Sequence, residues 1–153
     1  MADEVVASAS RSAMDMLSRR EHSVEELRRK LSAKGFEDDV VNDIVDDLKT
    51  RNLVSDDRFV EAFVRSRVNR GQGPVRIERD LRDRGVDESR IEQAIHYDTE
   101  YWSDIIDRVR EKKFGAPKKL PRQDWARQAR FLQQRGFTTE QIRTTLNKHD
   151  EYE

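Results

Sequence analysis

Cysteine is absent from the 153 residues. That removes disulfides and thiolate metal sites and fits a reducing, cytosolic setting. No apolar run approaches the roughly 18 residues that a membrane span needs. The first residues also lack the basic segment and apolar core of a secretory signal. A soluble, cytoplasmic protein with no membrane partner is expected. Apolar residues are few, at 35% against 40% charged, which is lean for one compact globule. A lean core fits an elongated set of small packed units, because such shapes keep more surface exposed. No stretch alternates apolar and polar residues as a half-buried strand does. Catalytic chemistry is missing too. His22, His96 and His149 are far apart and read as surface or capping histidines, while the carboxylates stand among solvent-facing charges. No glycine-rich loop follows a strand, so nothing resembles a phosphate cradle. The sequence assigns no catalytic residue, metal ligand or cofactor, and a binding protein rather than an enzyme is expected.

What is present is helical, and it repeats. Gly35, Gly85 and Gly136 stand 50 and 51 residues apart, each followed by an apolar residue: Phe36, Val86 and Phe137. Four residues before each glycine is a leucine, Leu31, Leu81 or Leu132. Six after each stands Val41, Ile91 or Ile142, and ten after each Val45, Ile95 or Leu146. Twelve before each is a residue able to cap a helix: Ser23, Gly73 or Asp124. Such a period predicts an all-α fold, an elongated tandem array of three three-helix repeats with about nine helices, each repeat about 50 residues long. The expected boundaries are a flexible N-terminus over 1–10, repeats over 11–52, 53–98 and 99–149, and a flexible tail over 150–153. Ser23 with Glu26, and Thr138 with Gln141, have the spacing of capping boxes. Thr99 is read as the cap of the seventh helix, the sixth is expected to run to Tyr97, and the segment from Phe114 to Pro121 reads as a loop.

The middle of the chain, from Leu53 to Val86, holds the densest set of signals. Ser55 precedes Asp56 and Asp57, an N-cap with two carboxylates at the positive end of a helix dipole. Phe59, Ala62 and Phe63 follow at helical spacing, with Val60, Val64 and Val68 beside them, an arc wide enough for burial between neighbours. Gly71-Gln72-Gly73-Pro74 breaks this helix and starts another, with Pro74 at the favoured first position. Ile77 and Leu81 then face inward up to Gly85, a left-handed C-terminal cap. The ordered set, DDRF, a short helix, SR, a G-x-G-P break and R-I-x-x-x-L-x-x-x-G, resembles the RecX family of bacterial regulatory proteins. The upstream HSVEELRRKL and the downstream REKKFG are similar to that family as well, so the resemblance runs from about Arg11 onward. It implies tandem three-helix repeats and a negative modulator of the RecA recombinase. The implied action is to lodge in the groove of the RecA filament, hindering ATP hydrolysis, strand exchange and co-protease action on the SOS repressor. RecA, as monomer and filament, is the implied partner, and the protein itself is expected to be a monomer. The runner-up is a helical-repeat protein that binds single-stranded or duplex DNA directly.

Charge is where binding residues are sought. Residues 1–50 hold 8 Lys/Arg and 12 Asp/Glu, and residues 101–153 hold 12 and 8. The chain therefore moves from acidic to basic, a gradient that could give direction along a polar filament. From Arg108 to Arg135 ten cations face only Glu111 and Asp124. Lys112, Lys113, Lys118, Lys119, Arg122, Arg127 and Arg130 are candidates there for a phosphate backbone or an acidic protein groove. A solubilising face with charges that complement helix dipoles would account for the same run. Arg65, Arg67, Arg70 and Arg76 flank the G-x-G-P break. In that region Glu78 with Arg82, Asp80 with Arg84 and Arg79 with Asp83 have the spacing of helical ion pairs. Arg67 falls on the apolar arc with no acidic partner at helical spacing ahead of it, so it either snorkels to the rim or presents its guanidinium at a binding surface. Trp102 reads as core, while Trp125 divides evenly between core and stacking on bases.

Overall fold

The computed structural model describes residues 2–96, 98–115 and 122–150. Among them there is no strand, and the helices are α1 (Ala2–Arg19), α2 (Val24–Ala33), α3 (Asp38–Thr50), α4 (Asp56–Asn69), α5 (Pro74–Asp83), α6 (Glu88–Ala94), α7 (Thr99–Phe114), α8 (Arg122–Gln134) and α9 (Thr139–Asp150). The architecture is an all-α tandem repeat. Each predicted glycine ends the second helix of its repeat in the left-handed region, with φ of 95° at Gly35, 79° at Gly85 and 101° at Gly136. The leucines four residues earlier are fully buried, as are, to within a few per cent, the apolar residues six and ten positions after each glycine. The period is therefore set by a turn that only glycine adopts without strain and by the apolar residues it points inward.

The capping boxes form as spaced. The Glu26 amide donates to the Ser23 hydroxyl at 3.0 Å, and the Gln141 amide to the Thr138 hydroxyl at 3.1 Å. Ser55 accepts from the Arg58 amide at 3.3 Å. Two caps differ from expectation. Asp98, not Thr99, caps α7, accepting from the Glu100 amide, because its carboxylate is the first side chain able to reach back to a free amide. Asp124 lies inside the first turn of α8, which begins at Arg122, where its charge complements the helix dipole instead. The segment expected to precede the first helix is helical from Ala2. Ala9 and Ala13, one turn apart, are fully buried there. Small side chains let α1 approach closely, a packing signal that a scan for large apolar residues passes over. Tyr97, residues 116–121 of the expected loop with Lys118 and Lys119, and 151–153 of the expected tail lie outside the described residues, as does Met1.

By compactness the chain divides into two units. One is Met1–Phe63 with Leu81–Ala94, the other Val64–Asp80 with Ile95–Glu153. In the first, α1, α2 and α3 pack together around Leu27, Leu31, Val41, Val45 and Leu48. In the second, α7, α8 and α9 enclose Trp102, Ile106, Leu132 and Leu146. Trp102 is core as expected, its ring edge-on to Phe137 and its indole N–H donated to the His96 carbonyl at 2.6 Å. On α4, Phe59 and Val60 are buried while Ala62, Phe63, Val64 and Val68 are half-buried. Among the described residues, no helix is long and apolar enough to cross a membrane.

Both units contain the same junction, in which the glycine turn of one repeat sits on the start of the second helix of the preceding repeat. In the first unit the Ser23 hydroxyl donates to the Arg84 carbonyl at 2.7 Å, and Arg29 donates to the Asp83 carbonyl. A side chain at Gly85 would meet Glu25 Cβ at 2.5 Å. In the second unit the Gly73 amide donates to the Arg135 carbonyl at 2.7 Å and the Val75 amide to the Gly136 carbonyl at 2.9 Å. In the second unit the free amides of a helix start thus satisfy the free carbonyls of a helix end, while in the first a hydroxyl and a guanidinium supply the donors; in both, opposed dipole ends are in contact.

His22 is the exception to the surface reading of the histidines, at 2% exposure. Its Nδ1 lies 3.1 Å from the Arg20 carbonyl and its Nε2 3.0 Å from Lys30 Nζ. An ammonium can only donate, so Nε2 accepts and Nδ1 carries the proton: the ring is neutral. Burial lowers its pKa and the charges of Arg20 and Lys30 lower it further, outweighing the hydrogen bond to the Arg20 carbonyl and the charge of Glu26, which raise it. A neutral buried histidine binds fewer protons than the unfolded chain, so its contribution is complete above the unfolded pKa of about 6.5 and is lost as pH falls below it. The thermal midpoint is expected to drop between about pH 7.5 and pH 5.5, and His22→Gln to flatten that slope; an unchanged slope in the variant would assign it to other groups.

A second prediction concerns the junction. A Cβ at Gly73 would lie 2.5 Å from the Gly136 carbonyl oxygen, whereas one at Gly35 meets nothing within 4 Å. Gly35→Ala carries only the left-handed strain, about 1 kcal/mol. Gly73→Ala must push the two facing backbones apart and is expected to lose clearly more in urea unfolding; equal losses would remove the junction from the account of stability.

Candidate functional site

Most arginines of this chain face a carboxylate. Arg20 grips Glu26 with two nitrogens at 2.7 and 3.0 Å, Arg58 meets Glu21 at 3.1 Å, and Arg90 meets Asp57 at 2.8 Å and Asp87 at 2.6 Å. Arg82 pairs with Glu88. Arg67 belongs to this group, although the sequence offers it no acidic partner at helical spacing ahead of it. Its Nη1 lies 2.7 Å from Asp80 and 3.0 Å from the Gln72 side chain, holding the end of α4 to α5 across the G-x-G-P break. The partner comes from another helix, so helical spacing could not reveal it. Arg110, which no pattern singled out, is 1% exposed inside the second unit. It donates to Gln128 at 2.7 Å with Asp107 at 3.8 Å, and burial lowers its pKa against the pull of Asp107 and Glu111.

Five cations are arranged differently. Arg70, Arg108, Lys112, Lys113 and Arg135 line one cleft of about 380 Å³ within the second unit. Among the described residues none of the five has a carboxylate within ion-pair distance. Arg70 follows the end of α4, Lys112 and Lys113 occupy the last turn of α7, and Arg135 follows the end of α8. The negative ends of three helix dipoles thus converge on the cleft and offset some of the repulsion among the cations. Phe131 contributes as well. Lys113 Nζ stands 5.8 Å and the Arg135 guanidinium 5.2 Å from its ring centre, each a cation–π contact. Arg135 also donates to the Arg70 carbonyl at 3.1 Å. The floor is apolar, from Val68, Ile105 and Val109, and Gly71 turns there with φ of 80°, its missing side chain leaving 3.0 Å to Val109.

The structure therefore unites residues from both charge clusters of the sequence. Arg70, Lys112 and Lys113 were candidates; Arg108 and Arg135 were only members of the wider basic run. The other candidates lie elsewhere. Arg65 is exposed on α4, and Arg122 and Arg130 are exposed on α8. Arg127 stands over the Phe114 ring and 3.8 Å from Asp124. Arg76 is half-buried at the junction, with its Cβ where a Gly136 side chain would need to be and its Nε buried without a partner. Trp125 is half-buried on α8. No spacing rule could have found the cleft, because it joins residues 68–71, 105–113 and 131–135.

Three family models match the chain in order: the first, second and third three-helix domains of RecX, over residues 9–48, 55–95 and 99–146. Among curated proteins the chain is 42% identical over 139 residues to the regulatory protein RecX of Halorhodospira halophila, covering 91% of this chain and 86% of that one. It is 38% identical to the regulatory protein RecX of Pseudomonas entomophila, with 94% and 92% covered. The crystal structure of RecX from Lactobacillus salivarius has the same fold, with a TM-score of 0.82 at 24% identity over 98% of this chain and 99% of that one.

Paired and unpaired cations are expected to differ in their effect on folding. Arg67→Gln removes the 2.7 Å contact to half-buried Asp80, leaving it the longer one to Arg79 at 3.7 Å, and should lose about 1–3 kcal/mol. Arg108→Gln and Lys112→Gln remove no partner and should stay within about 0.5 kcal/mol of the parent. Denaturant unfolding of the three variants checks this; a large loss at Arg108 would mean the cleft cations hold the fold.

Proposed function

The chain belongs to the RecX family, and we propose that it binds the RecA recombinase and its nucleoprotein filament and restrains them. The restrained activities are ATP hydrolysis, strand exchange and co-protease action, so the protein modulates recombination, repair and the SOS response. The carrying observation is the ordered match of all three domain models across residues 9–146, joined by relatives that are regulatory proteins by name. In this reading the protein acts in the cytoplasm as a monomer, with repeats over 11–52, 53–98 and 99–149, the acidic first repeat and basic third repeat setting its direction along the filament.

A second reading, direct binding of single-stranded or duplex DNA, is favoured by the five cleft cations, which among the described residues have no carboxylate within ion-pair distance. The test that separates the two is RecA's single-strand-dependent ATPase with this protein titrated in below the RecA concentration. Loss of activity at such ratios, without comparable binding of bare DNA, is the expected result. No inhibition, together with salt-sensitive DNA binding, would replace the first reading with the second. Charge reversal at Lys112, Lys113, Lys118 and Lys119 is expected to weaken inhibition, and full retention would sink the directional role of the basic repeat.

A further inference from the structure

The cleft of the second unit holds like charges together, whereas most arginines of the chain face a carboxylate. Arg108 and Lys112 are one helical turn apart, a spacing at which like charges repel. Three helix ends and the Phe131 ring offset that repulsion incompletely. A fold that needed these residues for solubility alone could have spread them over the surface. Their concentration in a concavity is instead the arrangement that recognises a compact anion.

The shape narrows the anion. The cations arrive on three separate elements: the turn after α4, the end of α7 and the end of α8. A phosphoryl group presents its oxygens tetrahedrally and can accept from several walls at once. A carboxylate presents two oxygens in one plane and is matched by a single guanidinium fork, as Arg20 does for Glu26 in the first unit. A volume of about 380 Å³ is within the range of small-ligand sites and suits a nucleotide better than one bare phosphate ion. Val68, Ile105 and Val109 supply an apolar floor for the rest of such a ligand. The aromatic ring at the site is not free to stack. Phe131 meets the edge of Phe114 at 5.4 Å, and Lys113 and Arg135 lie over it.

We infer that this cleft is a phosphoryl-binding site that takes the phosphates of a nucleotide, either free or within a single strand, by charge and without reading the base. The inference deepens the nucleic-acid reading above and is independent of the RecA reading. A variant that loses phosphoryl binding while still inhibiting RecA would keep the two apart.

The test is calorimetric titration of the full chain at low salt with ATP, with inorganic tripolyphosphate and with oligothymidylate and oligodeoxyadenylate of equal length. Saturable binding of at least one probe is expected, similar for the two oligonucleotides and weakened by salt. Saturable binding of ATP and tripolyphosphate would identify a free nucleotide as the source, and binding of the oligonucleotides alone a strand. The double variant R108Q/K112Q, with an unchanged melting curve, is expected to lose about tenfold or more in affinity. Lys34→Gln, outside the cleft in the first unit, should bind as the parent does. Absence of binding by every probe, or equal binding by the double variant, would overturn the inference. So would displacement of the oligonucleotide by oligoglutamate more readily than by tripolyphosphate, which would make the cleft a seat for an acidic protein segment.

Discussion

A left-handed glycine turn seated on a helix start is the constraint on which the rest of this chain depends. The turn exposes backbone carbonyls at one helix end, and the start of the second helix of the preceding repeat brings donors to meet them. Because this contact is made by backbone on backbone at Gly73 and Gly136, it tolerates wide variation in side chains but almost none in local volume. At Gly85 added volume is excluded as well, but there the neighbour is a side chain, Glu25, with its Cβ at 2.5 Å. A sequence with few apolar residues can then fold through two modest cores, since helix ends are satisfied by one another rather than by additional burial.

That economy of apolar residues leaves a large charged surface, and charge is managed by pairing. Arg67 with Asp80 and Arg20 with Glu26 are placed where helices must be held at their ends. Inside the second unit Arg110 is tied to Gln128, so even a buried guanidinium has a hydrogen-bond acceptor. Against this background the cleft formed by α4, α7 and α8 differs in kind, because its cations are organised by helix dipoles and an aromatic ring rather than by carboxylates.

The features of the fold that were legible in the sequence are those whose chemistry is local. Gly35, Gly85 and Gly136, their leucines and the Ser23 and Thr138 capping boxes depend on residues within about a turn of one another, so periodicity reveals them. The family resemblance was legible for the same reason, as an ordered series of local signatures. What required the structure was convergence. Arg67 finds Asp80 thirteen positions away, His22 is buried against Lys30, and the cleft gathers three distant segments. Alanine packing at Ala9 and Ala13 escaped because small residues give a weak apolar signal although they permit the closest approach.

The period of the sequence and the compact units of the fold are out of phase: the middle repeat is shared, with Val64–Asp80 assigned to one unit and Leu81–Ala94 to the other. This has a consequence for a nascent chain. When residue 94 has left the ribosome, every residue of the first unit is available, but Val64–Asp80 has been synthesised without the helices that complete its own unit. Those seventeen residues, which include half-buried Val64, Val68 and buried Ile77, must wait until α9 emerges. In the order of synthesis, the segment whose packing partners arrive late therefore lies within the middle repeat rather than at the junction between repeats.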